Sequence, residues 1–112
     1  MADPKADLLK GTLDLLILKA LTFGPLHGYG IARWLEDASR DLLRIEEGSL
    51  YPALYRMEKK GWIRSEWGSS VSNRKAKYYR LSTRGREQLE AQAQGWERLV
   101  QAMSLVLSRQ PA

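Results

Sequence analysis

Apolar positions along the chain fall into blocks of helical or alternating period, separated by glycine, proline and polar turn residues. From Leu8 to Leu21 the apolar residues at 9, 13, 16, 17, 20 and 21 recur with the spacing of one helical face. Leu15 and Leu18 add apolar groups on the other side. A helix apolar nearly all round needs cover from two directions, so this one is expected to be covered by more than its own small domain. Gly24-Pro25 ends it. His27 to Ala38 predicts a second helix with Ile31, Trp34, Leu35 and Ala38 on one face. The loop through Leu43 and Ile45 has room for a short strand. Glu47-Gly48-Ser49 opens a third helix that runs to about Lys60, with Ser49 as N-cap, Pro52 in the first turn and Gly61 as the stop.

The period then changes to two. Between Trp62 and Trp67, residues Trp62, Arg64 and Glu66 point one way and Ile63, Ser65 and Trp67 the other. Gly68 to Asn73 is a turn, and Lys77 to Leu81 returns as the second strand of a hairpin. Ser82-Thr83 caps a final helix reaching about Ser108. The fold expected is mainly α with a β-hairpin, a winged helix-turn-helix plus a long C-terminal dimerisation helix. Residues 1–81 form the DNA-binding domain in this division, and residues 82–112 the dimerisation helix and tail.

Composition narrows the partners. In 112 residues, 18 Lys and Arg face 13 Asp and Glu, a formal net charge of +5, which favours a polyanion such as nucleic acid. There is no cysteine, so thiol catalysis, disulfides and cysteine-bound metal are excluded. No stretch has the roughly 18 apolar residues of a membrane span, and Met1 to Lys5 does not read as the start of a leader. The expectation is a soluble cytoplasmic protein with no membrane partner, no metal and no cofactor.

On a 100° wheel, Leu50, Ala53, Leu54 and Met57 share one side of the third helix. Pro52, Tyr55, Arg56 and Lys59 share the other, flanked by Ser49, Tyr51 and Lys60. The first side suits packing on two other helices, and the second suits a major groove. Arg56 and Lys59 are able to neutralise phosphate, and Arg56 is also able to read a guanine edge. A merely solvated amphipathic face is the competing reading, though it gains nothing from two tyrosines. On the hairpin, Arg74 and Lys75 near the tip favour contact with DNA, on the backbone or in the adjoining minor groove, whereas Lys77 and Arg80 equally suit protection of an edge strand.

Four segments resemble the PadR family of bacterial regulators: Gly11 to Leu18, Gly24 to Ile31, Gly48 to Leu54 and Asn73 to Leu81. The likeness spans about residues 8 to 90, in order, and the length resembles the subgroup with a single C-terminal helix. The resemblance implies a homodimeric winged-helix regulator on palindromic operators, often a repressor released by a small molecule. It implies DNA contacts from Ser49, Tyr51, Pro52, Tyr55 and Arg56 on the helix. It assigns the wing contacts to Asn73, Arg74 and Lys75, and brings Tyr29 towards the backbone.

In the last helix Leu89, Ala93, Trp96, Val100, Met103 and Leu107 follow a four-three-four-three-four spacing, an a/d stripe of nearly three heptads. A lone monomer offers nothing obvious to cover it, so the stripe is expected to be a homodimer interface. Trp96 has two readings. Two copies across a dimer axis form a clamp for a small aromatic inducer, or the tryptophan simply packs in the interface. Gly95 beside it is a weak helix former that permits a close crossing.

Enzymatic readings find little support. There is one histidine, no P-loop and no glycine-rich nucleotide fingerprint, and Asp14, Glu46, Glu47 and Glu58 make no recognisable acid/base pair. A winged-helix adaptor that binds protein is the more serious rival, and aligned basic groups on the third helix and wing argue against it. The reading is therefore a double-stranded-DNA-binding regulator. As a symmetric dimer it expects an inverted repeat with half-sites about 10 bp apart or a multiple.

Overall fold

In the computed structural model, which describes residues 4–69, 72 and 74–112 and side chains from Thr12 onward, the first helix lies at the centre. Helix α1 (Pro4–Ala20) runs from the first of the described residues, and a single 3₁₀ turn (Leu21–Phe23) extends it. Helices α2 (Gly28–Ala38), α3 (Glu47–Lys59) and α4 (Thr83–Leu107) all pack against it. Leu13, Ile17, Leu18, Ala20 and Leu21 are buried, while Leu15 and Leu16 are half-buried. The doubly apolar helix thus finds its cover within one chain, α4 supplying part of it.

Gly24, at φ 133°, turns the chain out of the 3₁₀ helix into a two-residue strand, β1 (Leu26–His27). The helix-turn-helix follows. His27 caps α2 through Nδ1, which accepts the Gly30 N–H at 2.9 Å. Ile31 and Leu35 are buried and Trp34 packs on the core; Ala38, expected on the same face, is exposed in the last turn. No strand forms at Leu43–Ile45. The loop amides there are taken by side chains instead: Leu43 N–H donates to Ser39 Oγ and Ile45 N–H to Glu36 Oε2. The third strand of the sheet is β1.

Helix α3 begins three residues earlier than its composition suggests. Its N-cap is Glu46, whose carbonyl accepts the Ser49 and Leu50 N–H groups, so Ser49 lies in the first turn rather than at the cap. Pro52 consequently sits inside the helix, where it leaves the Gly48 carbonyl without its usual donor. At the other end Gly61 adopts φ 77°, its N–H bonding to the Glu58 carbonyl and that of Trp62 to the Met57 carbonyl. This paired arrangement satisfies the last carbonyls of α3 and needs a left-handed residue between helix and strand.

Strands β2 (Ile63–Ser69) and β3 (Lys75–Leu81) form an antiparallel hairpin in register from Ile63 opposite Leu81 to Ser69 opposite Lys75. Strand β1 pairs on the other edge of β3, giving the order β1-β3-β2. Ile63 and Tyr79 carry the base of the sheet into the core.

A tight joint connects the hairpin to α4. The Ser82 hydroxyl caps α4 by accepting the Gly85 N–H at 3.0 Å, and lies 2.6 Å from the Gly61 carbonyl and 2.9 Å from that of Trp62. The Ser82 N–H also donates to the Trp62 carbonyl. Gly85 is there because the helix rides over that same carbonyl: a Cβ at this position would lie 2.0 Å from the Trp62 oxygen. Beyond the joint α4 extends past the body, and the molecule measures 63 × 29 × 26 Å.

Two glycines of one helix should therefore respond oppositely to alanine. Gly85→Ala is expected to cost about 3 kcal/mol, since backbone must move to admit the methyl group. Gly95 has open space around its Cβ position, so Gly95→Ala should add about 1 kcal/mol by helix propensity. Urea unfolding of both variants checks the pair of signs.

Candidate nucleic-acid interface

The two faces of α3 separate cleanly. Leu50, Ala53, Leu54 and Met57 are buried under α1 and α2, whereas Ser49, Tyr51, Pro52, Tyr55, Arg56 and Lys59 are exposed together on the outward side. Four of these exposed groups, Tyr51, Tyr55, Arg56 and Lys59, are held by neighbours. The Tyr51 ring lies on Gly28 at the start of α2, so closely that a Cβ there would come within 2.8 Å of it. The Lys59 ammonium sits over the Tyr55 ring, 5.2 Å from its centre. Arg56 reaches back to α1, with Nη2 at 3.4 Å from Asp14 Oδ1. The cation that the sequence offers to DNA thus already holds an internal partner.

The start of α2 borders this face. Tyr29 is exposed, and Arg33, one turn further on, donates to its hydroxyl at 3.5 Å. The sequence reading passes over Arg33, although helical spacing from Tyr29 was the signal for it. Gly28 lies within one of the four family-like segments, but its role as the seat of Tyr51 has no local signature.

On the hairpin, Arg74 and Lys75 are exposed and have no carboxylate partner among the described residues. Asn73 lies outside the described residues. Lys77 and Arg80 are engaged, with Lys77 Nζ 3.7 Å from Glu58 of α3 and Arg80 3.7 Å from Glu66 across the sheet. Glu58 also accepts from the Ser65 hydroxyl, so one carboxylate of α3 ties down both strands of the hairpin. The Tyr78 hydroxyl donates to the Ser69 carbonyl at 3.1 Å, its ring passing over Gly68. Burial, followed by the nearby Glu58 carboxylate and Tyr51, pushes the Tyr79 phenol above its ordinary value.

The stripe on α4 divides. Leu89, partly buried, packs against the chain's own core, and Ala93 is half-buried. Trp96, Val100, Met103 and Leu107 are exposed, and Leu99 and Val106 widen the apolar strip between them. Among the described residues, no group of three or more His, Cys, Asp or Glu is placed to hold a metal ion. No helix is long and apolar enough to cross a membrane among those residues.

Three helices capped by a hairpin, with a helix whose outward face carries Tyr51, Tyr55, Arg56 and Lys59 beside that hairpin, define a winged helix-turn-helix of the DNA-binding transcriptional regulators. Residues 17–91 match the model of the transcriptional regulator PadR-like family, and the chain belongs to that family, one of regulators rather than enzymes. A PadR-like regulator from Bacillus cereus is 31% identical, with 93% of this chain and 99% of that one aligned at a TM-score of 0.79. A PadR family regulator from Eggerthella lenta is also 31% identical, covering 94% of this chain and 89% of its own at a TM-score of 0.80. An uncharacterised Lysinibacillus sphaericus protein is 27% identical over 103 residues, 92% of this chain and 94% of that protein.

Two measurements check this surface. Asp14→Asn releases Arg56 and removes a negative charge beside the α3 face. An exposed pair of this kind is worth about 1 kcal/mol at most, so the variant should bind duplex DNA up to about fivefold more tightly with little loss of stability. Fluorescence anisotropy on a labelled duplex reads the change. For Tyr79, the neutral phenol is the favoured form in the fold. Its contribution is complete below the ordinary value of about 10 and is lost as pH rises through the raised folded value. Tyr79→Phe should therefore shift alkaline unfolding, followed by circular dichroism, to higher pH.

Proposed function

We propose that the chain acts as a sequence-specific repressor that binds an inverted-repeat operator as a homodimer. The observation that carries this reading is the combination of two surfaces on one rigid frame. One is the outward face of α3 with the basic hairpin, and the other is the exposed apolar strip on the far half of α4. Ser49, Tyr51, Pro52, Tyr55 and Arg56 enter the major groove in this reading, with Lys59 and Tyr29 on flanking phosphates. Arg74, Lys75 and Asn73 hold the backbone beyond. Arg56 exchanges Asp14 for a phosphate or a guanine edge as it binds.

Residues 1–81 serve as the reading unit and residues 82–112 as the pairing unit. Each large apolar side chain of the strip left in water forgoes about 1.5–3 kcal/mol of burial, which two copies of α4 recover by packing on each other. Trp96, Val100, Met103 and Leu107 form that interface, and Leu89 and Ala93 brace its near end from within each monomer. Release by a small aromatic ligand lodged beside the paired Trp96 side chains completes the reading, as the family resemblance implies. The site of action is the cytoplasm.

Titration of the purified protein against its own upstream DNA and a scrambled duplex tests the reading. Binding at least about a thousandfold tighter to the upstream sequence supports it, and equal weak binding to both overturns sequence-specific regulation of that site. The double variant Val100→Asp with Met103→Asp should elute as a monomer by light scattering and lose that selectivity. A wild-type chain that is itself monomeric at micromolar concentration removes the dimer from the reading.

A further inference from the structure

Trp67 stands apart from every role described so far. It lies on β2 directly opposite Lys77, on the sheet face that also carries Ser65 and Tyr79. That face is the one turned towards α3, because Ser65 and Lys77 both reach Glu58 on that helix. Trp67 sits one step further out than Ser65, beyond the point where α3 covers the sheet, and the residue is 69% exposed. An aromatic of this size normally buries most of its surface.

Cross-strand pairing does not account for it. Lys77 is the direct neighbour, but its ammonium is drawn to Glu58 and lies 5.9 Å from the Tyr79 ring. Among the described residues no ring, cation or hydrogen-bond acceptor lies against Trp67, so its indole N–H is also unsatisfied by protein. The residue thus presents an apolar face and one donor into the corner between reading helix and hairpin. In the DNA-binding reading, that corner is the space between the helix placed in the groove and the hairpin placed on the backbone.

We infer that Trp67 is a DNA contact, packing its ring on a deoxyribose and aiming its N–H at the adjoining phosphate. The inference rests on the DNA-binding reading and adds to it a residue whose contribution is independent of base sequence. The charge around it selects the partner. Arg74 and Lys75 on the same hairpin complement phosphate, whereas a second copy of a chain with net charge +5 would bring like charges together there.

The test compares wild type, Trp67→Ala, Trp67→Phe and Lys75→Ala on the upstream and scrambled duplexes over a range of salt. Trp67→Ala should weaken binding to both duplexes by about tenfold, comparable to loss of one aromatic contact, with an unchanged salt slope. Lys75→Ala should instead lower the slope by about 1. Trp67→Phe should lose about threefold, keeping the apolar contact without the donor. Acrylamide quenching gives a readout independent of affinity: duplex should shield a share of wild-type emission that is absent from Trp67→Phe. Equal affinity of wild type and both Trp67 variants, or no such shielding, overturns the inference while leaving the regulator reading intact. A changed elution volume for Trp67→Phe reassigns the residue to contact between chains. If the wild type binds neither duplex, the DNA-binding reading and this contact fall together.

Discussion

Burial of α1 is the constraint from which the remaining geometry follows. Ile17 and Leu18 are both fully enclosed although they face different ways, so the helix must be wrapped rather than merely covered. At about 1.5–3 kcal/mol for each large side chain, the residues buried along it contribute a major part of the core. Wrapping requires α2 and α3 on one part of its surface and α4 on another. The two helices of the helix-turn-helix and the helix that projects from the body therefore share one central support. Asp14 on that support also reaches the outward face of α3, so α1 touches the reading surface as well as carrying it.

The hairpin is set by a second, smaller device. Glu58, on the side of α3 that faces the sheet, accepts from Ser65 on one strand and pairs with Lys77 on the other. An acidic residue near a DNA-facing surface is unfavourable beside phosphate, but here the Glu58 charge is engaged in tying the hairpin to the helix. Tyr51 does the equivalent work at the other end of α3, resting on Gly28. Tyr51, Tyr55, Arg56 and Lys59 on the outward face are thus already restrained, which reduces the conformational entropy they lose on binding.

Much of this was legible in the sequence because helical and alternating periods are strong wherever one face is buried. The buried and exposed sides of α3, the hairpin and the Ser82 cap all follow from periodicity and capping chemistry. Strand β1 was not legible, since two residues have no period and Leu26–His27 takes its identity from pairing with Tyr79 and Tyr78. The start of α3 was misplaced because the Glu46 backbone carbonyl opens the helix, whereas composition points to Ser49. The link between Arg56 and Asp14 spans 42 residues of sequence and depends on how α1 and α3 cross. Leu89 and Ala93 read as a continuation of the apolar stripe, yet the near half of α4 has its own core to pack on.

The joint at Ser82 and Gly85 acts as the pivot of a lever. Helix α4 has 25 residues, so its far end stands about 37 Å from the Trp62 carbonyl on which it rests. A tilt of about 5° at that pivot displaces the far end by roughly 3 Å, more than half a helical turn of rise. Close contact at Gly85, with three hydrogen-bonding partners around Ser82, leaves little room for such a tilt. The orientation of the reading helix relative to the end of α4 is therefore set by this joint together with the packing of the near half of α4 on α1, and a methyl group at the joint is amplified along the exposed length of the arm.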